Sequence, residues 1–145
     1  MSIPVITLKS PSTITHDLGG FNLCYLATPY SKFPDGMDHA HTAACLVAAE
    51  LIRRQVVVFS PIAHSHAIAA IGGLNPLNHD LWLRQDERFM RAASCCIVAM
   101  LPGWRESKGV QWEIAWFRAG RTTIHYLELD YELRGGPARL ENEHA

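Results

Sequence analysis

Two stretches of this chain are apolar almost without interruption, FNLCYLAT at 21–28 and CCIVAM at 95–100, and each runs into polar or turn-forming residues. Such a run suits a parallel strand buried on both faces. VVVFS at 56–60 and TTIHYLEL at 122–129 supply two further strands. Between them lie segments of helical period. From Asp38, which reads as an N-cap, Ala40, Ala43, Ala44, Val47, Ala48 and Leu51 form one face, and Arg53 and Arg54 suit the negative end of the helix dipole. Residues 80–93 carry Leu81, Trp82, Leu83, Phe89 and Met90 on an imperfect stripe, and a helix over 109–119 stops at Gly120, read as a C′ residue. Strands alternating with helices predict an α/β fold. The expected architecture is a three-layer sandwich around a flavodoxin- or Rossmann-like parallel sheet of four to five strands, with ligands at the carboxyl ends of the strands.

The segment SPIAHSHAIAAIGGLNP at 60–76 reads as a long connection with room for a short helix. Residues 1–20, rich in Ser, Thr, Pro and Gly, have no sustained period and read as an arm or irregular lead-in, and residues 130–145 as a loosely held tail. The core domain is thus expected over 21–129.

With 145 residues the chain suits one domain. Thirteen basic and fourteen acidic residues give a formal charge of -1, which offers no electrostatic footprint for duplex nucleic acid or an anionic membrane. The apolar runs fall well short of the roughly 20 residues a membrane helix needs. The start, MSIPVITLKSPSTITHDLGG, has neither a basic leader nor a compact apolar run, so a cytoplasmic location is expected. Cys24, Cys45, Cys95 and Cys96 lie inside apolar segments without a C-x-x-C spacing, and buried free thiols are the better reading.

One residue resists a local structural explanation, which leaves a long-range ion pair to a distant arginine or a functional role. In SKGVQWEIAWFRAG at 107–120, Glu113 sits between Trp112 and Trp116 on a helix. With Ser107 as N-cap, Glu113 falls in the second turn, beyond the reach of a capping box. Four positions later stands Phe117 and four earlier Gly109, so no helix-surface ion pair accounts for it either. Val110, Ile114 and Phe117 form the apolar face, and Glu113 points elsewhere: to a neighbouring loop, another subunit or a pocket. PGWRESKG before it leads from a strand end into a helix N-terminus, where unpaired N–H groups and the dipole favour an anion; Ser107 adds a hydroxyl and Gly109 allows close approach.

These residues resemble the nucleoside 2-deoxyribosyltransferase superfamily, in particular its 2′-deoxynucleoside 5′-phosphate N-hydrolase branch, which carries Ser-x-Gly-Val-x-x-Glu at the start of a helix. SKGVQWE has that spacing. The resemblance implies that Ser107 contacts phosphate, that Glu113 is the nucleophile attacking C1′ of a nucleoside or its 5′-monophosphate, and that Tyr25 in CYLATPYS positions it. Asp86, in WLRQDERFM, matches the family's aspartate and becomes the candidate for assisting the leaving base. Thr28 departs from the commoner small residue, and Ser94 replaces an acidic residue that often opens the third strand. YLATPYS, FSPIAHSH and HDLWLRQD are also similar to a bacterial and phage family of undefined function within this superfamily. On this reading Thr28, Ser31, His64, Asp80, Ser107, Gly109 and Trp112 line the substrate site, no cofactor or metal is required, and the protein is a homo-oligomer of two or more chains.

Rival readings rest on other residues. His64, His66, His79 and Asp80 could supply metal ligands for a hydrolase, although His-x-His points two imidazoles the same way only in an extended segment. A nucleotide sensor would use the same pocket without turnover. A flavodoxin-like redox domain shares the topology but lacks the G-x-G-x-x-G fingerprint. Trp104, Trp112 and Phe33 are candidates for stacking on a base.

Overall fold

The computed structural model describes residues 2–135. Four parallel strands, β2 (Cys24–Ala27), β3 (Val58–Phe59), β4 (Cys95–Ala99) and β5 (Thr123–Leu127), form a sheet in the order β3-β2-β4-β5. The chain leaves β2 to one side for β3 and returns to its other side for β4. This reversal opens a crevice at the carboxyl ends of β2 and β4, where open α/β sheets bind their ligands. Helices flank the sheet, α2 (Met37–Arg53) on one face and α4 (His79–Ala92) and α5 (Lys108–Ala119) on the other, giving the expected three-layer α/β sandwich.

The pleat sorts the strand residues between the two faces. Cys24, Leu26, Cys95, Ile97 and Ala99 point into a core with Ala40, Ala43, Val47 and Leu51 of α2. Tyr25, Ala27, Cys96 and Val98 point the opposite way, against Met90 of α4 and Val110, Ile114 and Phe117 of α5. The register, Cys24 beside Cys95 and Tyr25 beside Cys96, keeps the two sets apart along both strands. All four cysteines are free thiols; Cys45 is only half-buried.

Several elements differ from expectation. Residues 2–18 are not an irregular lead-in: β1 (Ser2–Leu8) pairs antiparallel with β6 (Leu129–Gly135), and α1 (Pro11–Leu18) follows. Neither is legible locally, because each strand's partner lies at the far end of the chain and α1 shows only one buried pair, Ile14 and Leu18. Residues 129–135 are accordingly ordered, and the remainder of the expected loose tail, 136–145, lies outside the described residues. The segment after Ser60 is a full helix, α3 (Pro61–Gly72), not a connection with a short helical piece. It is apolar nearly all round and so lacks a stripe, although Ser60 capping the Ala63 N–H and Pro61 at the first position mark its start. The N-cap of α2 is Gly36, two residues ahead of the expected Asp38, which frees the Asp38 carboxylate. Gly120 ends α5 in a right-handed conformation, and Arg121 takes the left-handed one.

Candidate functional site

The crevice at the switch point is a cleft of about 510 Å³. Tyr25 lies on β2, and Thr28, Tyr30 and Ser31 follow it; Pro61, Ile62 and Ser65 come from α3; Pro76 and Leu77 form a rim. His79, Trp82, Leu83, Asp86 and Met90 come from α4, and Ser107, Lys108, Gly109, Trp112 and Glu113 from the start of α5. The rim is pinned to α4 by a hydrogen bond from the Trp82 indole N–H to the Asn75 carbonyl, 2.9 Å.

The loops that follow β2 and β4 meet because of one glycine. Gly103 has φ +86°, and a Cβ there would stand 2.5 Å from the Lys32 carbonyl oxygen. Only glycine lets the loop after β4 lie this close to the loop after β2. Ser107 caps α5 as its sequence position implies, its hydroxyl oxygen accepting from the Val110 N–H at 3.2 Å. The hydroxyl proton remains available to a ligand. Val110, Ile114 and Phe117 are the buried face of α5, and this rotation sends Glu113 into the cleft.

Of the sequence-predicted site residues, Tyr25, Thr28, Ser31, Asp86, Ser107, Gly109, Trp112 and Glu113 all line this one cleft. His64 and Asp80 do not. His64 is exposed beside Phe59 and Phe89, with ring centroids 5.6 and 6.3 Å away, and Asp80 is exposed in the first turn of α4, where its charge suits the dipole. On helical backbone His64 and His66 point roughly 200° apart around the axis. Among the described residues no group of three or more His, Cys, Asp or Glu side chains is placed to hold a metal ion. Asn78 caps α4, and His79 faces the cleft with its ring edge-on to Trp112, 6.3 Å between centroids. Of the proposed stacking aromatics only Trp112 lines the cleft: Phe33 belongs to the opposite core, and Trp104 packs on Tyr126. Tyr30, Trp82 and Met90 are cleft residues that sequence reasoning missed. In the sequence Trp82 and Met90 show only as part of an apolar stripe.

The electrostatics are unusual for the surface of a small protein. Burial pushes the Glu113 carboxyl up to about 8; the nearby Asp86 charge adds to the rise, and the Tyr25 hydroxyl opposes it. Burial alone lifts Asp86 to about 6. Tyr25 is 1% exposed and held well above the usual phenol range, first by burial and then by the Glu113 and Asp86 charges. Its hydroxyl sits near enough to favour ionised Glu113, yet it closes no aligned hydrogen bond with any described residue. Thr28, 4% exposed, likewise leaves its hydroxyl without a partner among the described residues. Two such orphans in one wall are costly unless something in the cleft satisfies them. No ion pair to Glu113 exists among the described residues.

A family profile described as a domain of unknown function, DUF1937, matches residues 22–129, which is most of the chain and every cleft residue. The chain belongs to the DUF1937 family. No curated protein matches it. The matched segment takes in the whole four-stranded parallel sheet of this DUF1937 chain and excludes most of the β1–β6 ribbon. Among the described residues no helix is long and apolar enough to cross a membrane.

Proposed function

We propose that this DUF1937 chain cleaves or exchanges the N-glycosidic bond of a nucleoside or nucleoside 5′-monophosphate, with Glu113 as nucleophile. The observation that carries this reading is the meeting of Glu113, Asp86 and Tyr25 in one cleft beside the N-terminus of α5, with no cation neutralising the carboxyl groups among the described residues. A structural carboxylate would have a partner; an unpartnered pair at a strand switch point is what acid, base and nucleophile chemistry requires.

The Glu113 carboxylate attacks C1′, forming an ester as the C1′–N bond breaks, and the departing base takes a proton from Asp86. Water then attacks C1′, Asp86 receives its proton, and the ester opens to restore Glu113; a second base in place of water gives exchange. Two carboxyl groups sharing these roles across an oxocarbenium-like transition state follow retaining glycosidases. Tyr25 offers a hydrogen bond to the ionised Glu113 carboxylate, favouring the form that attacks and the anion restored when the ester opens. Ser107, Lys108 and Gly109 at the start of α5 suit a 5′-phosphate, and Trp112 suits the base.

The reactive form carries one proton on the pair, on Asp86. Raised to about 6 and about 8, the two groups hold one proton between them mainly around neutrality. Most of it rests on Glu113, so the reactive tautomer is the minor one, and closing of the Tyr25 hydrogen bond favours it. Base release is accordingly expected to be bell-shaped in pH, with limbs near 6 and 8. Incubation with nucleosides and their 5′-monophosphates, followed by chromatography of free base, tests the reading. Absence of release across the panel, or equal release by Glu113→Ala, overturns it; binding without release would leave a nucleotide sensor. The homo-oligomer implied by the resemblance is part of the proposal and is tested by sedimentation.

A further inference from the structure

A second set of polar side chains touches the cleft from outside the nucleophile's surroundings. The Tyr30 hydroxyl lies 2.6 Å from His66 Nδ1, and His66 Nε2 lies 3.0 Å from Asp38 Oδ1. The His66 side chain is 15% exposed, and His41 stacks on its ring at 4.5 Å between centroids. Tyr30 and His66 also meet edge to face, 5.6 Å apart. These residues come from the loop after β2, from α3 and from α2, so three separate segments converge on one imidazole. Tyr30 and Pro76 form the wall between the main cleft and a second cavity of about 210 Å³, which His66 and Asp38 line from the other side.

The chemistry of the chain is directional. Asp38 only accepts, so His66 Nε2 carries a proton and donates to it. With the imidazole neutral, Nδ1 is a bare acceptor and takes the Tyr30 O–H. The Tyr30 oxygen then has only lone pairs to offer the cleft. When His66 gains a proton, Nδ1–H donates to the Tyr30 oxygen, and the phenolic proton turns toward the cleft. The protonation state of His66 therefore sets whether Tyr30 accepts from a ligand or donates to it. The groups facing His66 are Asp38 and His41 from α2 and Tyr30 from the β2 loop; Met37, Ala70, Leu74 and Pro76, which line the second cavity with it, carry no charge.

We propose that Asp38, His66 and Tyr30 form a relay in which neutral His66 fixes Tyr30 as a hydrogen-bond acceptor for an O–H or N–H donor of the bound ligand. The inference deepens the nucleoside reading and rests on it for the ligand class. Tyr30 contacts the ligand, and His66 and Asp38 are positioning residues acting through it. The donor is a pentose hydroxyl or a base amine.

The test uses ¹⁵N-histidine spectra of the whole protein from pH 5 to 9, together with calorimetric binding of 2′-deoxynucleoside 5′-monophosphates. Neutral His66 is expected as the Nε2–H tautomer. Tyr30→Phe, which keeps the ring packing, is expected to weaken binding roughly five- to tenfold at pH 8. The penalty should shrink as pH falls through the His66 midpoint; the phosphate's own titration is common to both proteins and cancels in the ratio. Analogues lacking the 3′-hydroxyl or the exocyclic amine identify the donor: the analogue that binds wild type and Tyr30→Phe equally lacks the recognised group. An Nδ1–H tautomer, or a Tyr30→Phe protein with unchanged affinity at every pH, overturns the relay. Base release that survives either result leaves the Glu113 reading intact, whereas a bound but uncleaved nucleotide with the expected Tyr30 penalty sinks that reading and keeps the relay. Failure of every nucleoside and nucleotide to bind overturns both.

Discussion

The two faces of the sheet are built from alternate residues of the same strands, yet they differ in kind. Toward α2 the strands present Cys24, Leu26, Cys95, Ile97 and Ala99 to a sealed apolar core that also takes in Leu8 and Leu129 of the β1–β6 ribbon. Toward α5 they present Tyr25, Ala27, Cys96 and Val98 to a smaller cluster that stops short at the carboxyl ends. There Tyr25, Asp86 and Glu113 line the cleft wall. Burial does opposite things on the two faces: it stabilises the first and holds two carboxyl groups in unfavourable surroundings on the second. One face keeps the chain folded; on the proposed function the other gives up part of that stability for chemistry.

Substitutions on each face should separate these roles. The largest effect is expected from Glu113→Ala, with base release reduced at least about a thousandfold in initial-rate assays while the protein still folds. Leu51→Ala, on the sealed face, should cost about 3 kcal/mol in denaturant unfolding while turnover per folded molecule stays the same.

Two glycines sharpen the same contrast, one in a supporting loop contact and one in the cleft. Gly103→Ala meets the Lys32 carbonyl oxygen at 2.5 Å from a positive φ, and a loss of about 2–3 kcal/mol is expected in unfolding. At Gly109 an added Cβ meets only the Ser107 hydroxyl, at 3.9 Å. Gly109→Ala should therefore leave stability unchanged or raise it by up to about 1 kcal/mol, while calorimetry finds nucleotide binding weakened by the methyl in the cleft.

How far the sequence carries depends on whether partners are near or far along the chain. β2, β4 and the buried face of α5 are legible because an apolar run or a 3.6-residue period is a local property. Glu113 is legible by elimination, since no capping or i,i+4 partner explains it, and its spacing from Ser107 survives in the cleft. The β1–β6 ribbon is not, because two strands at opposite ends define each other only once paired. Nor is the Tyr30–His66–Asp38 chain: His66 sits on a helix without a polar stripe, and its partners lie 36 and 28 positions away. His64 and Asp80, expected in the site, fall outside the cleft: His64 because its segment is helical and turns it away, Asp80 because it is exposed in the first turn of α4.

A smaller effect tests the claim that the cleft face is destabilised. Glu113 ionises near 4.5 when unfolded and near 8 when folded, so the folded state binds its proton more tightly. Its contribution is intact below pH 4.5 and is lost as pH rises toward 8. Glu113→Gln removes that loss; with partial exposure discounted, thermal unfolding should find the variant more stable than wild type by roughly 2 kcal/mol above pH 8, and equal to it at pH 4.

The most direct measurement is peptide mapping by mass spectrometry of an acid-quenched reaction with a 2′-deoxynucleoside 5′-monophosphate. A glycosyl adduct on the peptide carrying Glu113, absent from Glu113→Ala, is the expected result. Continued base release with the adduct on Asp86, or with no adduct on either carboxylate, would contradict the role given to Glu113.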